Sequence, residues 1–237
     1  MGVITFNGVS SERFGILVEL EPNYEYPERD YELVHVPGRN GDIVIDKGSY
    51  KNVTRSYYLA VGKLDQNFVD MANNISKWLH SASGYARLED TYEPKYYRLA
   101  MYREGGTINN LFRHAGRINV KFDCKPQRYL KSGEQKIVFI ENGQIVNPTE
   151  YEARPMITVI GAGDGNLRIG STTVSVSGIE QSITIDSELG DAYKGTLNLN
   201  SKVRLSNGFP TFKPGINEII FSGGITSVEV VPKWWTL

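Results

Sequence analysis

The chain has 237 residues, of which 26 are basic and 27 acidic, and this length accommodates one or two domains with a substantial core. The charges also nearly cancel in residues 1–130, with 17 basic and 16 acidic side chains. This balance argues against a nucleic-acid footprint or a membrane-surface patch. The single cysteine, Cys124, excludes an internal disulfide and every cysteine-rich zinc pattern.

The start of the chain lacks a basic segment followed by a long apolar run. No stretch approaches the roughly 20 apolar residues that a membrane helix needs. We therefore expect a protein that is made and folded in a reducing cytoplasm, without a membrane span, a metal or a cofactor.

Strands are the predicted elements of most of the first half. Apolar residues alternate with other residues over 14–20, 53–61 and 118–124, which is typical of strands with one buried face. Cys124 falls on the inward side of the last of these, where a free cysteine behaves as a small apolar residue. Between the first two strands, the segment Val36-Pro37-Gly38-Arg39-Asn40-Gly41-Asp42 predicts a tight turn with positive φ at its glycines.

One segment of the first half has a helical pattern instead. Its apolar residues recur at steps of three and four, which places them on one face of a helix from Asp65 to about Ser81. Asp65 is predicted to cap the start of this helix and Gly84 to close its end. We expect the strands of the first half to form a β-sandwich, with this helix covering one edge or face of it and Trp78 as a core anchor. The apolar residues concerned are Phe68, Met71, Ala72, Ile75, Trp78 and Leu79.

The second half consists of short period-two apolar pairs, which predict a β-sandwich. Twelve of the 14 tyrosines precede residue 131, so composition changes near Leu130 to Lys136, and we predict domains over 1–133 and 134–237. The pairs are Val174 and Val176, Ile183 and Ile185, Leu197 and Leu199, Val203 and Leu205, and Val228 and Val230; the predicted turns are Glu141-Asn142-Gly143, Asn207-Gly208 and Gly223-Gly224.

A glycine-rich segment, Gly161-Ala162-Gly163-Asp164-Gly165-Asn166, has the composition of a phosphate loop. A dinucleotide site needs a helix directly afterwards, because the helix N-terminus holds the pyrophosphate. The residues that follow predict strand and turn, so we interpret the segment as a hairpin connection.

Catalytic and metal-binding patterns are absent from the sequence. The three histidines, His35, His80 and His114, are far apart and lack the short paired spacing of common metal motifs. No Gly-x-Ser-x-Gly elbow is present. We therefore predict a protein that is not an enzyme, with no catalytic, cofactor-binding or metal-binding residue.

Several short motifs follow one another along the chain in a distinctive order. The turn at 36–42 is followed by Trp78-Leu79, then by Asp90-Thr91-Tyr92-Glu93-Pro94 with Tyr96-Tyr97, and then by Cys124-Lys125-Pro126. The second half continues with Asn147-Pro148, Arg154-Pro155, Gly161-Ala162-Gly163 and Ile185-Asp186-Ser187. This ordered set resembles the distal tail proteins of long-tailed, non-contractile bacteriophages (siphophages), often called Dit.

The resemblance implies a structural virion protein that belongs to the phage tail. Members of that family form a homohexameric ring from their N-terminal domains, while their C-terminal domains are galectin-like sandwiches that point outward. The ring joins the last turn of the tail tube to the tail hub. The implied partners are further copies of the chain, the major tail protein, the tail-associated hub protein and, as a further option, receptor-binding or adsorption proteins.

Trp234-Trp235 support one competing interpretation. Exposed aromatic rings stack on sugars, so a carbohydrate-binding module with a galectin-like sandwich is the alternative function. We favour a structural role, in which one tryptophan packs inward and the other covers a sheet edge or a partner surface. A galectin-like shape does not by itself imply sugar binding.

Overall fold

The computed structural model describes residues 1–61, 68–103, 108–112 and 115–237. The chain divides into two compact units, Met1–Arg128 with Leu237, and Tyr129–Thr236, which we call unit 1 and unit 2. Both are built mainly of strands, and the predicted fold class of two β-sandwiches with a helix in the first is confirmed. Within the described residues, no helix has the length and apolar character that crossing a membrane requires.

Unit 1 contains ten strands among the described residues and the helix α1. The strands are β1 Ile4–Phe6, β2 Val9–Ser10, β3 Ile16–Val18, β4 Arg29–Val34, β5 Ile43–Tyr50, β6 Val53–Val61, β7 Ala86–Asp90, β8 Tyr96–Tyr102, β9 Ile108–Phe112 and β10 Ala115–Leu130; α1 spans Phe68–Leu79. A short 3-10 turn, Ser11–Phe14, precedes β3.

The main sheet of unit 1 runs in the order β2-β1-β7-β8-β10-β6-β3. A bridge between Gly2 and Val18 brings the two ends of this order together, so the sheet closes around its own core. The predicted alternation is confirmed in β6 and β10, whose inward residues are buried. It is wrong at the ends of the 14–20 segment, because Phe14 lies in the 3-10 turn and Leu20 is exposed.

Helix α1 covers this core through its predicted apolar stripe. Met71, Ile75, Trp78 and Leu79 are all buried, and Trp78 is the core anchor that the sequence predicted. The predicted cap, Asp65, lies outside the described residues. The prediction that Gly84 ends the helix is wrong: α1 ends at Leu79, where the backbone N–H groups of the next two residues bond to the last carbonyls.

Unit 2 is built around three long antiparallel strands. Its strands are β11 Ile137–Phe139, β12 Gly143–Asn147, β13 Met156–Ile169, β14 Thr172–Asp186, β15 Asp191–Lys194, β16 Leu197–Asn198, β17 Val203–Leu205, β18 Gly215–Val231 and β19 Trp235–Thr236. The sheet order is β11-β18-β13-β14-β15-β16. The first part of β18 pairs with β12 and its last part with β11, so one long strand serves both layers of the sandwich.

The glycine-rich segments of unit 2 lie inside strands. Gly161–Asn166 is part of β13 and Gly223-Gly224 is part of β18, so the predicted hairpin connection and the predicted turn are both wrong. The register between β13 and β18 shifts at these residues. The two backbones approach so closely there that a Cβ on Gly161 would lie 2.0 Å from the carbonyl oxygen of Gly224. Glycine thus permits a bulge that bends both strands.

Candidate assembly surface

Strands β4 and β5 form a two-stranded sheet that is separate from the main sheet of unit 1. We call these residues, 29–50, the hairpin. Cross-strand partners include Leu33 with Val44 and Val34 with Ile43, and such directly opposed residues share one face of the sheet. An isolated two-stranded hairpin is at best marginally stable in water. Whether its two faces are polar or apolar therefore indicates whether another surface covers them.

Both faces of the hairpin are apolar and exposed. Leu33 and Val44 lie on one face, the Leu33 face, with Tyr31, and their exposed fractions are 62% and 58%. The opposite face, the Val34 face, carries Val34, Ile43 and Ile45, which are also exposed. A soluble antiparallel sheet normally places polar residues on its solvent face. Exposed apolar residues grouped in this way are typical of interaction surfaces.

The base of the hairpin is held by polar contacts around Arg29. Its guanidinium donates to both carboxylate oxygens of Asp46, at 2.6 Å for the shortest contact, and to the Tyr50 hydroxyl at 3.0 Å. Asp46 also accepts the backbone N–H of Gly48 at 2.8 Å. Hydrogen bonds from Arg29 and Gly48 lower the pKa of Asp46 below its ordinary value. These contacts fix the register, so the apolar faces are presented on an ordered scaffold.

The tip of the hairpin is the predicted turn at 36–42. Gly38 and Gly41 have φ of +82° and +77°, and the N–H of Arg39 donates to the carbonyl of Val36 at 3.1 Å. The prediction of positive φ at both glycines is therefore confirmed. Asp42 lies 3.2 Å from the ring nitrogen Nδ1 of His35, which closes the turn across its two ends.

The residues of the ordered motifs that lie in unit 1 outside the hairpin have structural roles. The buried Asp90 carboxylate accepts the Tyr57 hydroxyl at 2.7 Å and lies 3.2 Å from the Arg55 guanidinium. Burial raises the pKa of Tyr57. The indole N–H of Trp78 donates to the Phe6 carbonyl at 3.1 Å. These residues stabilise the interior of unit 1 through buried contacts.

The residues of the ordered motifs in unit 2 also have structural roles. The Asn147 amide donates to the carbonyls of Tyr151 and Phe212, at 2.8 and 3.1 Å. Asp186 is buried, accepts the backbone N–H of Glu188 at 3.0 Å, and lies 3.2 Å from the Lys233 ammonium. Each of these side chains stabilises a loop between strands.

His35, His80 and Cys124 each have separate contacts. His80 lies 2.8 Å from the Ser76 carbonyl, whereas His35 belongs to the hairpin tip and His114 lies outside the described residues. Cys124 is fully buried, and burial raises the pKa of its thiol to about 12. Among the described residues, no three histidine, cysteine or acidic side chains are grouped to hold a metal ion.

Both tryptophans near residue 235 are engaged within unit 2. Trp234 is buried and packs against Phe212, with ring centroids 5.5 Å apart. Trp235 stacks on Tyr151 at 4.5 Å, and its indole N–H donates to the Glu152 carbonyl at 3.0 Å. One ring therefore packs inward and the other lies along a neighbouring loop. Trp234 is therefore closed to a sugar ring, whereas Trp235 is partly exposed with Tyr151 stacked on it.

The exposed apolar residues of the hairpin were not identified from sequence. The signal was present as consecutive apolar residues on either side of the glycine turn, Leu33-Val34 and Ile43-Val44-Ile45. Such runs lack the alternation that identifies a half-buried strand. Their meaning depends on whether a core covers them, and only the structure shows that these side chains are exposed, with no covering core among the described residues of unit 1.

The fold of the whole chain is similar to that of a solved phage protein. The crystal structure of Dit (gp19.1) of phage SPP1, described as a paradigm of the hub adsorption apparatus in phages that infect Gram-positive bacteria, superposes with a TM-score of 0.74. The similarity covers 100% of both chains at 14% sequence identity. The chain matches no protein-family model and no curated protein sequence. The fold expected from the resemblance to distal tail proteins is therefore confirmed.

Proposed function

We propose that this chain is a structural component of a phage tail, six copies of which close into a hub ring. The ring joins the tail tube to the tail hub and the adsorption apparatus. In this proposal unit 1 forms the ring and unit 2 is a galectin-like sandwich outside it. The protein acts through the geometry of its interfaces and carries out no reaction.

The observation that carries the proposal is the hairpin, whose two apolar faces are solvated in the single chain. Burying an exposed aliphatic side chain contributes about 1 kcal/mol or more, and five such residues lie on the hairpin. A contact between different surfaces of successive copies closes into a ring when its rotation fits. A two-faced hairpin suits that arrangement, because it can be covered on both sides within an assembly.

Two further observations support the tail assignment. The fold matches SPP1 Dit over the full length of both chains, and two of the ordered motifs form the turn at 36–42 and the buried anchor Trp78 of this chain. Exposed tyrosines also extend over unit 1 beyond the hairpin, at Tyr24, Tyr26, Tyr58 and Tyr85. Tyrosine is enriched in protein interfaces because it combines a large apolar body with a hydroxyl.

The implied partners follow from this position in the tail. One side of the ring would contact the major tail protein of the tube, and the other the tail-associated hub protein. Receptor-binding or adsorption proteins would attach at the periphery. The protein would reside in the virion tail after synthesis in the host cytoplasm.

The proposal is tested by the molar mass of the purified protein. We expect light scattering to give six times the mass of the single chain, and electron microscopy to show closed rings. The double variant Leu33→Lys/Val44→Lys places two charges on the Leu33 face. It should raise the concentration for half-assembly at least about 100-fold, because desolvating an unpaired charge costs several kcal/mol.

A matched control replaces two exposed aliphatic residues of unit 2. Val138 and Ile140 are exposed to 53% and 79%, so Val138→Lys/Ile140→Lys adds the same charges to a comparable surface. This variant should keep the wild-type mass. A monomeric wild-type protein at high concentration, or a control that dissociates as readily as the hairpin variant, contradicts the proposal.

A further inference from the structure

A groove lies between helix α1 and the 3-10 turn at 11–14 of unit 1. Its volume is about 510 Å³, within the range of roughly 300 to 1,000 Å³ that is typical of ligand pockets. Val9, Phe14, Met71 and Trp78 supply its apolar lining. The rings of Phe14 and Trp78 pack together with centroids 5.3 Å apart. We call this site the α1 groove.

Two basic side chains border the α1 groove. Arg13 and Lys77 are exposed, and within the described part of the chain neither makes an ion pair or a side-chain hydrogen bond. The described residues that line the groove include no carboxylate. A partly apolar depression that Arg13 and Lys77 border is suited to an aromatic or aliphatic side chain flanked by carboxylates.

The same unit carries a segment of the opposite character. Residues 20–28, Leu-Glu-Pro-Asn-Tyr-Glu-Tyr-Pro-Glu, have three carboxylates and no cation. Tyr26 is 85% exposed, and the carboxylates of Glu21, Glu25 and Glu28 are on exposed residues. We call these residues the acidic segment. It leads directly into strand β4 of the hairpin.

We propose that the acidic segment of one copy occupies the α1 groove of the next copy in the ring. Tyr26 enters the apolar part of the groove, and the carboxylates beside it pair with Arg13 and Lys77. The contact joins two different surfaces, as the head-to-tail contacts of a ring require. This inference rests on the proposed ring, and it adds the pair of surfaces that recognise each other alongside the hairpin.

Charge reversal on either surface tests the contact. The groove variant is Arg13→Glu/Lys77→Glu. The segment variant is Glu21→Lys/Glu28→Lys. It removes the exposed ion pair of Glu28 with Lys51 at 3.2 Å, and it leaves Glu25 in place because its carboxylate accepts the N–H of Thr54 at 3.2 Å. Each variant alone should raise the concentration for half-assembly at least about tenfold, since two exposed ion pairs are replaced by repulsion. A thermal melt at low concentration checks that each variant folds.

Mixing the two variants supplies a readout that misfolding cannot imitate. In an alternating ring of both variants, each acidic groove meets a basic segment and each wild-type groove meets a wild-type segment. Every contact is then complementary, so an equimolar mixture should assemble at wild-type concentrations. The chain that carries all four substitutions should assemble with itself for the same reason.

The control reverses two exposed cations that lie outside both surfaces, as Lys95→Glu/Arg154→Glu, and it should assemble like the wild type. If the wild-type protein forms rings and the groove variant forms them equally well, the inference is overturned and the proposed function stands. Failure of the mixture to assemble, when each variant is folded but monomeric, also overturns it. A wild-type protein that forms no ring overturns the proposed function itself.

Discussion

The β4–β5 hairpin and the β13–β14 hairpin contain the same kinds of apolar residue, but these residues are exposed in the first and buried in the second. Both are antiparallel and rich in valine and isoleucine. In β13–β14 the inward residues Ile157, Val159, Ile183 and Ile185 are at most 1% exposed. In β4–β5 the corresponding residue types lie in solvent on both faces. Strand sequence alone therefore does not determine burial; the surface that covers each face does.

The difference follows from how each hairpin meets the rest of its unit. The strands β13 and β14 are long, and β13 bulges over Gly161–Gly165, so they contribute to both layers of one sandwich and enclose a core between them. Strands β4 and β5 pair only with each other among the described strands. Among the residues that the structure describes, no second layer covers their apolar side chains, which is why we propose that further copies provide one.

The largest expected effect concerns a glycine in each hairpin. In β13, Gly161→Ala places a Cβ 2.0 Å from the Gly224 carbonyl oxygen, and the backbones must separate. We expect a loss of about 3 kcal/mol in the free energy of unfolding, measured by urea denaturation. In β5, Gly48 has φ of +73° and open space around its Cβ position, so Gly48→Ala should cost only about 1 kcal/mol. Equal losses would refute the role of close backbone approach.

This bend also shows what sequence reasoning could and could not predict. Alternation predicted β6 and β10, because one face of each strand packs on a core and the other does not. The segment Gly161–Asn166 predicts a hairpin connection instead of a bulge, since glycine permits both and the sequence does not reveal which backbone lies opposite. The hairpin was missed for a related reason: two apolar faces produce no alternation.

The next prediction compares the loss in the free energy of unfolding when one isoleucine in each hairpin is truncated. Ile185 is fully buried, so Ile185→Ala should lower the free energy of unfolding by about 3 kcal/mol through lost burial and the cavity that remains. Ile45 is 47% exposed, so Ile45→Ala should change the stability of the single chain by less than about 0.5 kcal/mol. Denaturation of both variants at low concentration measures these values. A large loss for Ile45→Ala at a concentration where the chain is monomeric would show that the hairpin is covered within unit 1.

The smallest expected effect lies at the base of the exposed hairpin and depends on pH. Hydrogen bonds from Arg29 and from the N–H of Gly48 lower the pKa of Asp46 below 3.8. A carboxyl group whose pKa is lowered by folding adds stability that is complete above the unfolded pKa. That stability is lost as the pH falls through the folded pKa. The hairpin base should therefore be intact at neutral pH and weaken only below about pH 3.8.

Carboxyl NMR titration of Asp46 tests this expectation, with Arg29→Gln as the matched variant. The wild-type midpoint should lie below 3.8, and the midpoint of the variant should move up toward 3.8. The reason is that the variant lacks the stronger of the two hydrogen bonds that lower the pKa of Asp46. Both groups are exposed, so salt should also reduce the difference between wild type and variant. Identical midpoints in the two proteins would mean that Arg29 does not hold Asp46 in solution. The register of the apolar faces would then depend on the backbone ladder of β4 and β5 alone.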